Sequence, residues 1–116
     1  MPDFCFGFLL PTRGVVVEAG DDPADGSQIL HLAKKAETLG LDSVWIGDSV
    51  LAKPRLESFT TWAAVLGATR KIQVGTAVML AALRHPVMLA QSLATLDCLF
   101  PGRAVAGFGV GRVELR

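Results

Sequence analysis

The sequence predicts an α/β fold built from parallel strands, and two observations lead to that prediction. Strand patterns begin near residues 4, 42, 72 and 104, and an amphipathic helix pattern separates each strand from the next. Each pair of strand and helix takes roughly thirty residues, which is typical of parallel crossover units. Apolar residues make up 51% of the chain, and its mean hydropathy is +0.44. Such values indicate strands buried on both faces within a single domain, residues 1–116.

The spacing favours a barrel wall over an open sheet. Right-handed crossovers between strands in sequential order place all helices on one side of the sheet, as in a (β/α) barrel. An open doubly wound sheet needs helices on both faces and a reversal of strand order, and the sequence gives no sign of one. A complete barrel needs about 250 residues. We therefore predict a TIM-barrel type fold truncated to about its first four strands and three helices.

The first strand is predicted at residues 4–9, and Pro11 ends it. Residues 12–26 are rich in Gly, Asp and Pro and show no period, so they are predicted to form a loop. The three aspartates of this loop lack the spacing of a calcium site, so they indicate a solvated turn. No metal site is predicted.

The first helix is predicted to begin at a cap formed by Asp25 or Ser27 and to end at Gly40. Its apolar stripe consists of Ile29, Leu32, Ala33, Ala36 and Leu39. The second strand follows at residues 41–46. Ser58 is predicted to cap the second helix, whose apolar face consists of Phe59, Trp62, Ala63 and Leu66. The indole of that face is predicted to lie in the core.

The third strand is predicted at residues 72–76, and Pro86 opens the third helix beside His85. The apolar face of that helix consists of Leu89, Leu93, Leu96 and Phe100. His85 is interpreted as structural or as a contact within the loop. A Pro-Gly pair breaks the helix, and the fourth strand is predicted at residues 103–108.

Two strand ends carry the candidate functional residues. Gly47, Asp48 and Ser49 follow the second strand, and ligands collect at that end of parallel strands. Asp48 is interpreted either as a ligand contact or as a turn former that bonds its own backbone. At the end of the third strand, residues 75–78 place a flexible glycine and a small residue where bulky side chains usually pack. They predict either close approach by a flat ligand or tight packing without one.

The last glycines do not form a nucleotide fingerprint. Gly107, Gly109 and Gly111 alternate, and no helix pattern follows them before the sequence reaches Arg116. A dinucleotide-binding turn requires that helix. We interpret the segment as a glycine-lined strand end.

Charge and cysteine usage narrow the partners. Lysine and arginine together number 11, as do aspartate and glutamate, so neither nucleic acid nor an anionic membrane surface is favoured. The longest apolar run stops at Arg84 and is too short to span a membrane, and the amino terminus lacks a signal-peptide pattern. Cys5 and Cys98 lie in apolar segments without metal spacing, so we interpret them as reduced core residues of a cytoplasmic protein.

A half barrel exposes the strand face that would point inward. That face amounts to apolar surface on the order of several hundred Å², which is more than a monomer usually tolerates. We therefore expect either a fragment that lacks its carboxyl-terminal half or a chain that forms a homo-oligomer or binds a partner.

Three stretches together resemble one family. They are AETLGLDSVWIGDS, VGTAVMLAALRHPVMLAQSLATLDCLFPGR and GFGVG. They resemble the bacterial luciferase-like, flavin-dependent oxidoreductases, which are (β/α) barrels, and the resemblance runs from about Phe6 to Gly111. It implies a cofactor at the carboxyl end of the barrel, either FMN or the deazaflavin coenzyme F420, and hydride transfer or oxygenation of a small molecule. FMN and deazaflavin stay open at this point.

The resemblance also implies the site residues, which are Asp48, Ser49, Thr76, Ala77, Val78, Gly109 and Val110. Asp48 and Ser49 would contact the ring edge, and the backbone at Gly109 would approach it closely. A bulge, often with a non-proline cis peptide, would support the ring at Ala77 and Val78.

Two positions depart from the family pattern. Many deazaflavin-using relatives have histidine where this chain has Ser49, and a hydroxyl cannot replace an imidazole as acid or base. Sugar-phosphate relatives have a glutamate where this chain has Arg112, which argues against that substrate class. Because the other half of such barrels grips the phosphate, we expect the chain alone to bind cofactor poorly or not at all. A non-catalytic half barrel that self-associates and a small flavodoxin-like domain are the alternatives.

Overall fold

The computed structural model describes residues 3–50 and 53–111. In chain order the elements are β1 (Gly7–Leu9), α1 (Gly14–Ala19), α2 (Ser27–Thr38), β2 (Ser43–Ile46), α3 (Ser58–Ala68), β3 (Gln73–Thr76), β4 (Met79–Leu80), a 3₁₀ turn (Ala81–Leu83), α4 (Pro86–Leu99), β5 (Ala104–Val105) and β6 (Phe108–Gly109). Within these residues, four strands form a parallel sheet in the order β1-β2-β3-β5. The sequential order confirms the predicted barrel-wall topology.

The helices cover one face of this sheet. Val44 and Val74 are register partners on that face and are fully buried. Against them packs Trp62 of α3, whose indole N–H donates to the carbonyl of Val74 at 2.8 Å. The indole is fully buried, so its predicted place in the core is confirmed. The same core contains three residues of α2, which are Ile29, Ala33 and Ala36. It also contains Leu96, which is the buried residue of α4.

Alternation of side chains along each strand leaves the opposite face open. Leu9, Trp45, Gly75 and Val105 are successive register partners on this face. The side chain of Leu9 is 59% exposed. Trp45 lies against Gly75, where a Cβ would come within 2.6 Å of the indole ring. The open apolar face was expected for a half barrel, and at Gly75 the close neighbour is this indole.

The predicted fourth strand is divided in two, which corrects its range. Only Ala104–Val105 pairs with β3, whereas Phe108–Gly109 pairs with β4. Gly107 separates the two pieces, because the hydroxyl of Thr76 accepts a bond from its amide at 3.1 Å and donates to its carbonyl at 3.0 Å. A Cβ at Gly107 would collide with the carbonyl oxygen of Thr76. The chain therefore turns here and begins a second, two-stranded sheet.

The amino-terminal part also differs from the prediction. The first strand covers Gly7–Leu9 only, and Phe4 and Phe6 before it are exposed. Residues 12–26 are not a continuous loop, because Gly14–Ala19 forms a short helix anchored by buried Val15. Three successive valines disfavour a helix by propensity, so tertiary packing determines this element.

Several local predictions need correction. Glu57, not Ser58, caps α3 and accepts from the amides of Phe59 at 3.1 Å and Thr60 at 2.7 Å. Leu39 follows the last residue of α2 and is 70% exposed, so it does not belong to the apolar stripe. Cys5 and Cys98 are free but exposed, and their predicted place in the core is therefore wrong.

Other features follow the prediction closely. Gly40 adopts a φ of 84° just after α2, a conformation that favours glycine, and so ends the helix. His85 caps α4 by accepting from the amide of Val87 at 3.2 Å, which supports its structural interpretation. None of the helices in residues 3–50 and 53–111 is long and apolar enough to cross a membrane.

Candidate functional site

A cavity of about 270 Å³ opens at the carboxyl end of β2. Residues 48–50 line it together with side chains of the 53–58 loop and Arg84. Because all strands of the sheet are parallel, their carboxyl ends share this edge. The loops after β2 and β3 therefore supply the candidate site.

Asp48 forms the centre of a buried ion pair. Its side chain is 3% exposed, and its carboxylate contacts both terminal nitrogens of Arg84, with Nη2 at 3.1 Å from Oδ1. Oδ1 also accepts from the hydroxyl of Ser58 at 3.3 Å, and Oδ2 accepts from the amide of Leu80 at 2.9 Å. Burial alone would raise the pKa of Asp48, but these bonds outweigh it and hold that pKa below its ordinary value.

Arg84 joins this centre from the segment between the 3₁₀ turn and α4. Its Nη2 donates to the hydroxyl of Ser58 at 2.9 Å and lies 3.6 Å from the carboxylate of Glu57. The bonds to Asp48 raise the pKa of Arg84, although burial lowers it. We call this group of Asp48, Arg84 and Ser58 the Asp48 clamp. It ties the end of β2 to the start of α3 and to the strand β4.

The clamp holds one flank of an exposed bulge between β3 and β4. Ala77 and Val78 form this bulge, their side chains are exposed, and the peptide bond between them is cis, as expected. The amide of Ala77 donates to the carbonyl of Ile46 at 2.8 Å. Two residues further on, the amide of Met79 donates to the carbonyl of Gly107 at 2.7 Å. Backbone bonds therefore fix the bulge on both sides while its side chains face solvent.

The bulge continues into the second sheet. A Cβ at Gly109 would lie 2.5 Å from Cγ2 of Val78, so the valine packs directly over that glycine. Val110, next in the chain, is 73% exposed. We name the surface formed by Ala77, Val78, Gly109 and Val110 the bulge ledge. It is apolar and lies at the carboxyl ends of the parallel strands.

The structure divides the seven predicted site residues into three groups. Four of them form the bulge ledge. Asp48 and Ser49 line the neighbouring cavity, but the carboxylate of Asp48 is engaged within the clamp. Thr76 is 1% exposed and bonds Gly107, so it positions the ledge from below without facing the solvent.

Two arginines of the site were not singled out by the sequence analysis. Arg84 stood only as the end of an apolar run, and Arg55 lay in a charged loop without a period. Arg55 donates from Nε to the hydroxyl of Ser49 at 3.0 Å and from Nη1 to the hydroxyl of Thr12 at 3.2 Å. Its guanidinium lies over Gly47, where a Cβ would collide with Nη1. Such partners lie up to 43 residues apart in the sequence, so no local pattern announces them.

Comparison with known proteins gives a consistent picture. The sequence model of the luciferase-like monooxygenase family matches residues 5–114. An F420-dependent glucose-6-phosphate dehydrogenase of Kineococcus radiotolerans is 40% identical over 90 residues, which cover 72% of this chain and 27% of that enzyme.

Two solved structures share the fold. The coenzyme F420 dependent tetrahydromethanopterin reductase from Methanopyrus kandleri is 28% identical with a TM-score of 0.77, over 96% of this chain and 28% of that one. The oxygenating constituent of 3,6-diketocamphane monooxygenase from Pseudomonas putida, in complex with FMN, is 20% identical with a TM-score of 0.72, over 95% and 30%. The chain thus spans less than a third of the length of these three proteins.

Proposed function

The chain belongs to the luciferase-like monooxygenase family, and from that premise we propose that it forms the ring-binding part of a flavin- or deazaflavin-dependent oxidoreductase. The reaction is hydride transfer to or from a small molecule, or its oxygenation. The observation that carries the proposal is the bulge ledge, an exposed apolar surface fixed by backbone bonds at the carboxyl ends of parallel strands. Binding sites of such folds lie at that edge.

The ledge fits one face of a flat ring system. The side chains of Val78 and Val110 are 42% and 73% exposed, so they offer apolar contact, and Gly109 between them adds no side chain of its own. Amides on either side hold the ledge in place and need no rearrangement on binding. When bound, the cofactor supplies the redox chemistry. The residues of the ledge orient the ring and exclude water from that face.

Relatives support F420 and FMN to different degrees. The names of the dehydrogenase and the reductase contain F420, and both are at least 28% identical to this chain. The FMN complex shares the fold at 20% identity. We therefore place the deazaflavin first and FMN second. Ser49 provides a hydroxyl and no imidazole, and that hydroxyl accepts from Arg55 in the cavity, so a proton donor for the substrate has to come from another residue.

Glucose 6-phosphate is the substrate in the names of the curated relatives. Arg112, whose position argued against sugar phosphates, lies outside the described residues. A cytoplasmic location also stays a prediction.

A second function is favoured by the open sheet face. Leu9 on that face is 59% exposed and Phe108 beside the ledge is 52% exposed. A chain that pairs with itself through this face would be a non-catalytic half barrel or a homo-oligomer. Sedimentation of the 116-residue chain measures its oligomeric state directly.

Ring binding is tested by placing a charge on the ledge. Val78→Asp adds a carboxylate where the ring would rest, and Val87→Asp adds the same charge to an exposed site on α4. We expect weak but saturable binding of F420 or FMN, reduced about tenfold or more by Val78→Asp and unchanged by Val87→Asp. Equal affinity in both variants, measured by fluorescence titration, would show that the ledge does not receive the ring.

A further inference from the structure

The cavity beside the Asp48 clamp carries more positive charge than its carboxylates neutralise. Its charged side chains are Lys53, Arg55 and Arg84 against Asp48 and Glu57. Arg84 and Asp48 neutralise each other within the clamp. That pairing leaves two cations and one carboxylate at the cavity wall.

The remaining carboxylate has its own partners. Glu57 caps α3 through the amides of Phe59 and Thr60 and lies 3.6 Å from Arg84. Neither carboxylate lies within ion-pair distance of Arg55 in residues 3–50 and 53–111. In that part of the chain, neither Lys53 nor Arg55 forms an ion pair.

Arg55 is preorganised and still has donors to offer. The hydroxyls of Ser49 and Thr12 accept from Nε and Nη1, which fixes the plane of the guanidinium. A guanidinium has five N–H groups, and none of the described residues accepts from Nη2 or from the second N–H of Nη1, so these donors can serve a ligand. Burial lowers the pKa of Arg55 and the charge of Arg13 lowers it further, and together they outweigh the charge of Asp48, which raises it.

We propose that this cavity is an oxyanion subsite in which Arg55, aided by Lys53, binds a phosphate or carboxylate group. Guanidinium pairs with both groups through parallel hydrogen bonds, and partial burial strengthens the pairing. The volume of about 270 Å³ is several times that of a water molecule, about 30 Å³, so such a group fits. Only the identity of the molecule that carries the anion rests on the proposed function.

Inorganic phosphate is the probe for this subsite. It is titrated into the 116-residue chain at constant ionic strength, with chloride as the reference salt, and thermal stability and amide NMR shifts are recorded. We expect saturable binding that Arg55→Met weakens about tenfold or more. Lys34→Met removes one exposed positive charge on α2 and should leave phosphate binding unchanged.

Gly47→Ala is a second variant that keeps every charge. Its Cβ would collide with Nη1 of Arg55, so the guanidinium must leave its place. Phosphate binding should fall in this variant as it does in Arg55→Met. Equal effects of phosphate and chloride on the parent chain would overturn the inference. It would also be overturned if either variant folded and bound phosphate like the parent.

Competition identifies the source of the anion. If the anion that occupies the subsite is part of the cofactor, inorganic phosphate competes with FMN but not with riboflavin. If the anion is part of the substrate, inorganic phosphate and FMN bind together. If Arg55→Met loses phosphate binding but keeps flavin binding, the result supports this subsite and does not bear on the proposed function. Flavin binding that Val78→Asp leaves unchanged, beside intact phosphate binding, contradicts only the proposed function.

Discussion

Asp48 and Arg84 form a two-point ion pair in which the carboxylate side chain is 3% and the guanidinium side chain 14% exposed. The pair joins positions 36 residues apart. It links the end of β2 to the segment before α4, and through the amide of Leu80 it also fixes β4. The clamp thus connects the cavity to the bulge ledge.

Removal of one partner of this pair should be costly. Asp48→Ala leaves the Arg84 guanidinium largely buried, with Glu57 at 3.6 Å as its remaining carboxylate. Breaking a buried pair in this way costs about 3 kcal/mol or more of unfolding free energy. Chemical denaturation measures this, with Asp21→Ala at an exposed position as the control. A loss below that of the control would mean that the pair contributes little.

The pH dependence of stability should report the same carboxylate. The folded-state pKa of Asp48 lies below the value in the unfolded chain, so its contribution is present above the ordinary aspartate pKa of about 3.9 and is lost as the pH falls through the folded-state pKa. Asp48→Asn should therefore flatten the acid limb of the stability curve. Asp21→Asn is the matched comparison at an exposed aspartate. An unchanged acid limb in Asp48→Asn contradicts this assignment.

Glu37 of α2 connects that helix to the residues just before β3. Its carboxylate accepts from the amides of Arg70 at 3.0 Å, Lys71 at 2.8 Å and Ile72 at 2.8 Å. Glu37→Ala should lower the free energy of unfolding by about 1.5 kcal/mol, since hydrogen bonds to a charged acceptor are lost. Glu18→Ala, at an exposed position of α1, should change it little. Equal effects of the two changes would argue against this role.

Replacement by alanine is expected to change stability in opposite directions at two glycines. Gly107→Ala places a Cβ against the carbonyl of Thr76, a backbone atom that cannot yield, and should destabilise the protein by about 1 kcal/mol or more. Gly67 lies inside α3, where the nearest atom to a Cβ is Cζ of Phe100 at 3.9 Å. Gly67→Ala should stabilise by about 0.5–1 kcal/mol. Thermal unfolding of both variants tests the pair, and a stable Gly107→Ala would disprove the close contact.

The indole of Trp62 lies in the core, as the apolar spacing of its helix predicts. The helix Gly14–Ala19 was missed because its valines favour strands, and only packing of Val15 overrides that preference.

The candidate site was predictable in place but not in detail. Its position at the strand ends follows from the parallel topology. The partners of Asp48 do not, because an aspartate after a strand has the same local sequence whether it contacts a ligand or an arginine 36 residues away. Arg55 was overlooked for the same reason, since its bond to Thr12 is formed only in the folded chain.

Amide NMR of the 116-residue chain during titration with F420 and with FMN shows whether the bulge ledge receives the ring. We expect saturable shifts concentrated at Ala77, Val78, Gly109 and Val110, with the exposed face of α4 unaffected. Saturable shifts centred on α4 or on the amino-terminal strand, with the ledge silent, would contradict it.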